Sequence, residues 1–362
     1  MKIISLVGAR PQFIKEAVLN SAVRESSAWD HIVVHSGQHY DDNMSNIFFD
    51  ELGIVAPKYN LNIGSGNHGK MTAMALSGFE EVLIKEQPDK VIVYGDTNTT
   101  LAGALAAAKL KIPVAHVESG LRQEPRDMPE EINRVLTDRI SKWLFCCSAI
   151  GVKNLESEGI TSGVHMVGDI MYDLYLKMQS RFSSSVFDKL GLSDAPYILV
   201  TLHRDFNVDK EEYLRNILNG LFDYSKFMNL QVVFSVHPRT MARIESFGMK
   251  NMISSWIKIE PVGYLELMGL LQNCVFVATD SGGLQKEAWF AKKRAAVIMP
   301  DTSWRELTDY GWNILIQADD VDFSARLKQL SKPTVYPDNI YGDGKTAKRI
   351  VYELSKGGEC RE

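Results

Sequence analysis

Asp96, Glu118 and Glu130 are the side chains of this sequence best suited to proton transfer, and each falls at the edge of an element. Asp96 ends the apolar run Val91-Ile92-Val93-Tyr94-Gly95, and Glu118 ends Pro113-Val114-Ala115-His116-Val117. Glu130 follows Pro129 at the start of an amphipathic segment. In a parallel α/β sheet, strand ends and helix starts face one crevice, so carboxylates distant in sequence would converge there. Converging carboxylates are the material of acid–base chemistry. The bland alternative is strongest at Glu130 and Glu131, because acids in a first helical turn suit the helix dipole without any catalytic duty.

The elements that must carry these residues are short Val- and Ile-rich runs alternating with helical patterns. The runs are Lys2–Gly8, His31–Gly37, Lys90–Gly95, Pro113–Ser119, Lys142–Ser148 and Val164–Gly168 in the first half. In the second half they are Tyr197–His203, Gln231–His237, Ile257–Val262, Cys274–Asp280, Ala295–Asp301 and Asn313–Gln317. Strands separated by helices imply parallel sheets covered on both faces, and two such sets imply two doubly wound domains joined within Asp169–Ser193. A ligand would lie in an interdomain cleft, touching strand ends of both. The length of 362 residues also favours two domains over one core.

Composition narrows the function. Apolar residues make up 45% and charged residues 23%, with 40 Lys plus Arg against 45 Asp plus Glu and a net charge of −5. No basic stripe stands out, which argues against a nucleic-acid partner. No run approaches a membrane helix, and the apolar start Met1–Val7 stops at Gly8, too short for a signal-peptide core. Cys146, Cys147, Cys274 and Cys360 show no CxxC spacing. The expectation is a cytoplasmic protein with no membrane partner and no metal.

Gly8-Ala9-Arg10-Pro11 follows the first strand. Pro11 suits a first helical position, and the helix N-terminus with Arg10 beside it makes an anion site, or else a plain turn with a solvated arginine. Thr279-Asp280-Ser281-Gly282-Gly283 precedes a helix; its glycines would let a diphosphate approach, with Glu287 placed to accept from ribose hydroxyls. The alternative is an ordinary turn capped by Asp280 or Ser281. His203-Arg204 and His237-Pro238-Arg239 end two further strands and suit a polyanion. His35 and His39 have an H-x-x-x-H spacing, but Gly37 between them argues against a helical metal site, leaving Gln38 and His39 as cleft candidates. Gly64-Ser65-Gly66-Asn67-His68-Gly69 matches GxGxxG, yet no strand core precedes it in Lys58–Ile63, and the next strand-end acid, Asp96, lies too far on. It reads as a flexible loop rather than a nicotinamide site.

Taken together, these motifs resemble the non-hydrolysing UDP-N-acetylglucosamine 2-epimerase family nearly end to end. The resemblance runs through Gly8–Pro11 with Lys15, Gly95–Thr100, His116–Arg122, Pro129–Glu131 with Asn133-Arg134, His203-Arg204, Asp280–Gly283 with Glu287, and Tyr341–Gly344. It implies two Rossmann-like domains in a glycosyltransferase-B arrangement, a homodimer, no cofactor, and a C-terminal helix that crosses back to the first domain. The first domain would then be residues 1–169 plus 346–362, and the second 170–345. It implies catalytic roles for Asp96, Glu118 and Glu130, with His203 beside the diphosphate. Arg10, Ser281, Gly282 and Glu287 would hold UDP and Pro261–Tyr264 would flank the uracil. Lys15, His237, Arg239, Gly283 and Asp301 complete the expected substrate-binding set.

The sequence departs from the common enzymes of that family at Gln12, where they carry Glu, at Leu202–Asp205, at His237–Arg239 and at Asp301–Glu306. The stretch Ser36–Phe49 resembles a subgroup that includes the 2-epimerases of UDP-2,3-diacetamido-2,3-dideoxy-glucuronate. A uronate needs a further cation, for which Arg122, Arg126, Arg204 and Arg239 are candidates. With a nicotinamide fingerprint missing, inversion at C2 points to elimination of UDP and its re-addition across a glycal. Departing diphosphate requires cations and N–H groups, and the two faces of C2 require more than one carboxylate. A glycosyltransferase of the same build, a nucleotide-sugar sensor and a hydrolysing relative are the competing readings.

Overall fold

The computed structural model describes residues 1–26, 29–37, 56–183, 190–192 and 195–356. It divides into two compact units: Met1–Lys177 together with the C-terminal stretch from Asn339, and Met178–Asp338. Residues 170–177 and 339–345, expected in the second domain, group with the first. The hydrogen bonds explain why: Asp169 N–H donates to Tyr341 O at 2.9 Å, and Ala347 N–H donates to Asp173 Oδ2 at 2.8 Å. The ammonium of Lys90, buried at 4% exposure, caps the final helix Thr346–Lys356 by donating to Leu354 O.

The first unit is built on β1 (Lys2–Val7), β2 (Asp30–His35), β3 (Tyr59–Asn60), β4 (Lys90–Tyr94), β5 (Val114–Ser119), β6 (Trp143–Cys146) and β7 (Val164–Met166). Its order is β3-β2-β1-β4-β5-β6-β7, with every pairing parallel. β4 is buried along its whole length, as its unbroken apolar run requires in a sheet covered on both faces. β3 is a departure from expectation. The polar run before Gly64 does form a strand, a two-residue edge pairing with Val34 and His35.

The second unit contains β8 (Tyr197–Thr201), β9 (Gln231–Ser235), β10 (Ile257–Ile259), β11 (Phe276–Thr279), β12 (Arg294–Ile298) and β13 (Ile314–Ile316). Their order is β10-β9-β8-β11-β12-β13, again parallel throughout. In each sheet the winding reverses once, between β1 and β4 and between β8 and β11. Ligands of doubly wound sheets bind beyond the carboxyl ends of the strands at such reversals. Gly8 and Asp96 lie past the ends of β1 and β4; His203 and Ser281 lie past the ends of β8 and β11. Among the described residues, no helix is long and apolar enough to cross a membrane. Cys146 and Cys274 are core residues, and burial pushes both thiols up to about 12.

Candidate active site

Glu118 owes its position to a defect in its own strand. The register of β5 against β6 skips from Val117 to Ser119, so Glu118 is the extra residue of a β-bulge and has φ 73. Bulges re-aim side chains, and a non-glycine residue with left-handed φ persists only where its surroundings fix it. Here the fixing partner is Lys15, 4% exposed, whose Nζ lies 2.5 Å from Glu118 Oε1. Both lie beside Gly95, where an added Cβ would fall 3.4 Å from Glu118 Oε1 and 3.6 Å from Lys15 Nζ.

Asp96 follows Gly95 directly and keeps a side chain 29% exposed. Arg134 Nη2 donates to its Oδ2 at 2.6 Å, while Arg134 Nη1 donates to Glu131 Oε2 at 2.7 Å. Asn133 Nδ2 donates to the Asp96 carbonyl at 2.9 Å. Arg134, Asn133 and Glu131 all sit on the helix Pro129–Ile140, whose N-terminus holds the expected pair of acids. The structure separates that pair. Glu131 is 4% exposed and ion-paired, a structural group; Glu130 is half-buried and bonds to no described residue, which leaves it open for chemistry.

The helix that carries Lys15 is clamped by Gln12. The Gln12 Oε1 accepts from Gly8 N–H at 2.8 Å and Ala9 N–H at 3.1 Å. The Nε2 donates to Tyr94 O at 2.7 Å, Thr97 Oγ1 at 3.0 Å and Thr100 Oγ1 at 2.9 Å. Gly8 has no room for a side chain, since a Cβ there would lie 2.3 Å from Ser36 Oγ and 2.5 Å from Thr99 Oγ1. The Arg10 side chain lies outside the described residues, as do Gln38 and His39. His35 turns inward, 8% exposed and edge-on to Phe13 at 4.7 Å.

In the second unit, fully buried Asp280 organises the turn after β8. It accepts from His203 N–H at 3.1 and 3.0 Å, from Arg204 N–H at 2.9 Å and from Asn207 Nδ2 at 3.2 Å. His203 Nδ1 lies 2.9 Å from Asp280 Oδ1, with the ring 41% exposed, so its second nitrogen is the one left for a ligand. The Ser281 hydroxyl accepts from Leu284 N–H at 3.3 Å. Around Gly282, an added Cβ would meet no atom within 4 Å, and neither it nor Gly283 has positive φ. Glu287 is 8% exposed in the helix Leu284–Phe290 that follows.

His237 is exposed and accepts from Arg239 N–H at 3.2 Å through Nδ1, which caps the helix Pro238–Ser246. Partial desolvation of the ring and the nearby His203 and Arg239 hold its pKa below the usual histidine range. Several expected ligand groups are otherwise engaged. Arg239 is ion-paired with Asp209, which also takes Arg243 Nε at 2.9 Å. Asp301 accepts from Arg305 Nη2 at 2.9 Å. The Tyr264 ring is turned into the core, 2% exposed and edge-on to Phe182 at 6.3 Å, while Pro261 stays exposed. Arg122 is spent on Glu158 at 2.6 and 2.8 Å and on Asp138 at 2.8 Å.

The family model described as UDP-N-acetylglucosamine 2-epimerase matches residues 21–355. The chain belongs to this family. A UDP-2,3-diacetamido-2,3-dideoxy-D-glucuronate 2-epimerase of Pseudomonas aeruginosa is 45% identical over 363 residues, covering 98% of this chain and all (100%) of the relative. A UDP-N-acetylglucosamine 2-epimerase homolog of Methanococcus maripaludis is also 45% identical, over 360 residues, covering 98% and 99%. Among solved structures of the epimerase family, the Methanocaldococcus jannaschii UDP-GlcNAc 2-epimerase in complex with UDP-GlcNAc and UDP superposes with TM-score 0.89. It is 42% identical and covers 99% of this chain and 100% of that one. The expected pair of Rossmann-like domains is thus the family architecture.

Some members of the site were not singled out as such in the sequence. Arg134 bonds the Asp96 carboxylate itself, while Asp138, His116 and Gln12 hold the backbone around the acids. Glu131, Arg134 and Asp138 are spaced three and four apart on one helix face, a pattern that could have flagged Arg134 and Asp138.

Proposed function

We propose that this chain is a non-hydrolysing UDP-sugar 2-epimerase. The observation that carries this reading is the corner formed by Glu118, Lys15 and Gly95. A carboxylate is bulged out of its strand, held by a buried ammonium, and set against the turn that presents Asp96. One carboxylate takes the C2 proton as the C1–O bond to UDP breaks, and the released electron pair becomes the C1=C2 bond of a glycal. Return of a proton to the opposite face of C2 and of UDP to C1 gives the epimer. Asp96, Glu118 and Glu130 are the acid/base groups. His203, Arg10, Lys15, Ser281, Gly282, Gly283, Glu287 and His237 receive the nucleotide and its departing charge, with Pro261, Tyr264, Arg239 and Asp301 at the periphery of that set.

The preferred substrate class is UDP-2,3-diacetamido-2,3-dideoxy-glucuronate, with UDP-N-acetylglucosamine as the alternative. The first is supported by the 45% identical Pseudomonas relative. Of the cations considered for a uronate, Arg122 and Arg239 are occupied and Arg126 pairs with Glu124 at 3.3 Å. The Arg204 guanidinium makes no ion pair with a described residue. A cytoplasmic role in supplying surface-polysaccharide precursors fits such a product.

Turnover of both sugars in deuterated water, followed by proton NMR, is expected to place deuterium at C2 of the product without added nicotinamide. An epimer that retains its C2 hydrogen would rule out the elimination route, and UDP release that depends on an acceptor would favour a glycosyltransferase.

A homodimer is supported by the outer face of the helix Pro129–Ile140. Glu131, Asn133, Arg134, Thr137 and Asp138 are buried on its inner face, and Ile132, Leu136 and Ile140, on successive turns, are 46%, 47% and 36% exposed. Leu136→Asp is expected to yield a monomer in light scattering at concentrations where the parent is dimeric; an unchanged mass would remove this face from consideration.

A further inference from the structure

The acids of the first unit hang from a buried pair that lies away from solvent. The side chains of His116 and Asp138 are both 0% exposed, with His116 Nδ1 facing Asp138 Oδ1 at 2.7 Å. The other ring nitrogen, Nε2–H, donates to the Gly95 carbonyl at 2.7 Å. Gly95 N–H in turn donates to Val117 O at 2.9 Å, so the residue before Asp96 is gripped on both sides by β5. On the far side of the bulge, Asp138 Oδ2 accepts from Gly120 N–H at 3.2 Å and from Arg122 Nη1 at 2.8 Å. One carboxylate and one imidazole therefore tie the peptide ahead of Asp96 to the Ser119–Gly120 peptide, one residue beyond Glu118.

What they tie down is unusual backbone. Gly95, Glu118 and Gly120 have φ 63, 73 and 77, three left-handed residues around two candidate catalytic groups. Such conformations persist only when neighbouring contacts over-determine them. The pair is also self-sustaining: burial alone would raise the Asp138 carboxyl, but His116 and Arg122 outweigh it and hold it below the usual carboxylate range.

We propose that His116 and Asp138 are positioning residues that fix the aim and separation of the Asp96 and Glu118 carboxyl groups. The inference rests on the 2-epimerase reading for its kinetic consequence but not for its structural one. It is tested by His116→Phe, which loses the donor to Gly95 O, beside His116→Gln, whose amide can replace Nε2–H. The phenylalanine variant is expected to lose about 100-fold in kcat with KM within about threefold, and the glutamine variant to recover most of that loss. In crystal structures, the Gly95 carbonyl is expected to swing in the first variant and stay in the second. Equal kcat in two folded variants, or KM rising in step with the fall in kcat, would overturn the proposal. If His116→Phe does not fold, His116→Asn keeps the Asp138 contact but cannot reach Gly95, and should show the same kinetic loss. Should the parent protein epimerise neither sugar, the functional reading falls, while the position of the Gly95 carbonyl still decides the role of the pair.

Discussion

Glu118→Gln is expected to lower epimerisation by about a thousandfold, the scale of a lost general acid–base group, with UDP affinity changed by no more than about twofold. The substitution suits the site because the glutamine carbonyl can still accept from Lys15 Nζ, now 2.5 Å from Glu118 Oε1. The bulge and its backbone angle should then survive, and only the ability to take a proton is removed. Initial rates by NMR, together with C2 exchange in deuterated water and UDP calorimetry, separate the chemistry from binding. Turnover within tenfold of the parent would show that Glu118 is a structural partner of Lys15 and would shift the burden to Asp96 and Glu130.

Gly282→Val is expected to weaken UDP on the order of 100-fold, about 2.7 kcal/mol, without lowering the melting temperature. Two glycines of the protein contrast in what they require. At Gly8 a Cβ would strike Ser36 Oγ at 2.3 Å, so the protein itself demands glycine there. A Cβ on Gly282 would meet nothing within 4 Å and the backbone is not left-handed, so neither side-chain packing nor conformation explains the residue. The remaining explanation is a ligand that needs that space, beside the Ser281 hydroxyl and the exposed nitrogen of His203. Calorimetry with UDP and a thermal melt check both halves. Undiminished affinity would move the diphosphate elsewhere in the second unit.

Much of this arrangement was readable in the chain because parallel α/β folds put chemistry at strand ends. The runs ending at Gly95, Glu118, His203 and Asp280 became β4, β5, β8 and β11, and three of these four strands flank a reversal, β4 in the first sheet and β8 and β11 in the second. What stayed hidden depends on contacts between segments far apart in sequence. The bulge at Glu118 arises from how β5 meets β6, and nothing local announces it. Arg122 and Arg239 look like ligands by composition, yet Glu158, Asp138 and Asp209 had already claimed them in space. The amphipathic pattern of Pro129–Ile140 was clear, but its apolar stripe faces outward because the inner face is committed to the ions around Asp96.

Gln12 has a consequence for how this sequence could have diverged. Its side chain is used as acceptor and donor at once, with Tyr94 O 2.7 Å from Nε2. A glutamate in its place sets oxygen against that carbonyl and must either hold a proton or shift. Exchange of the two residue types is therefore not a silent step: it couples the protonation of one buried side chain to the path of the β4 turn.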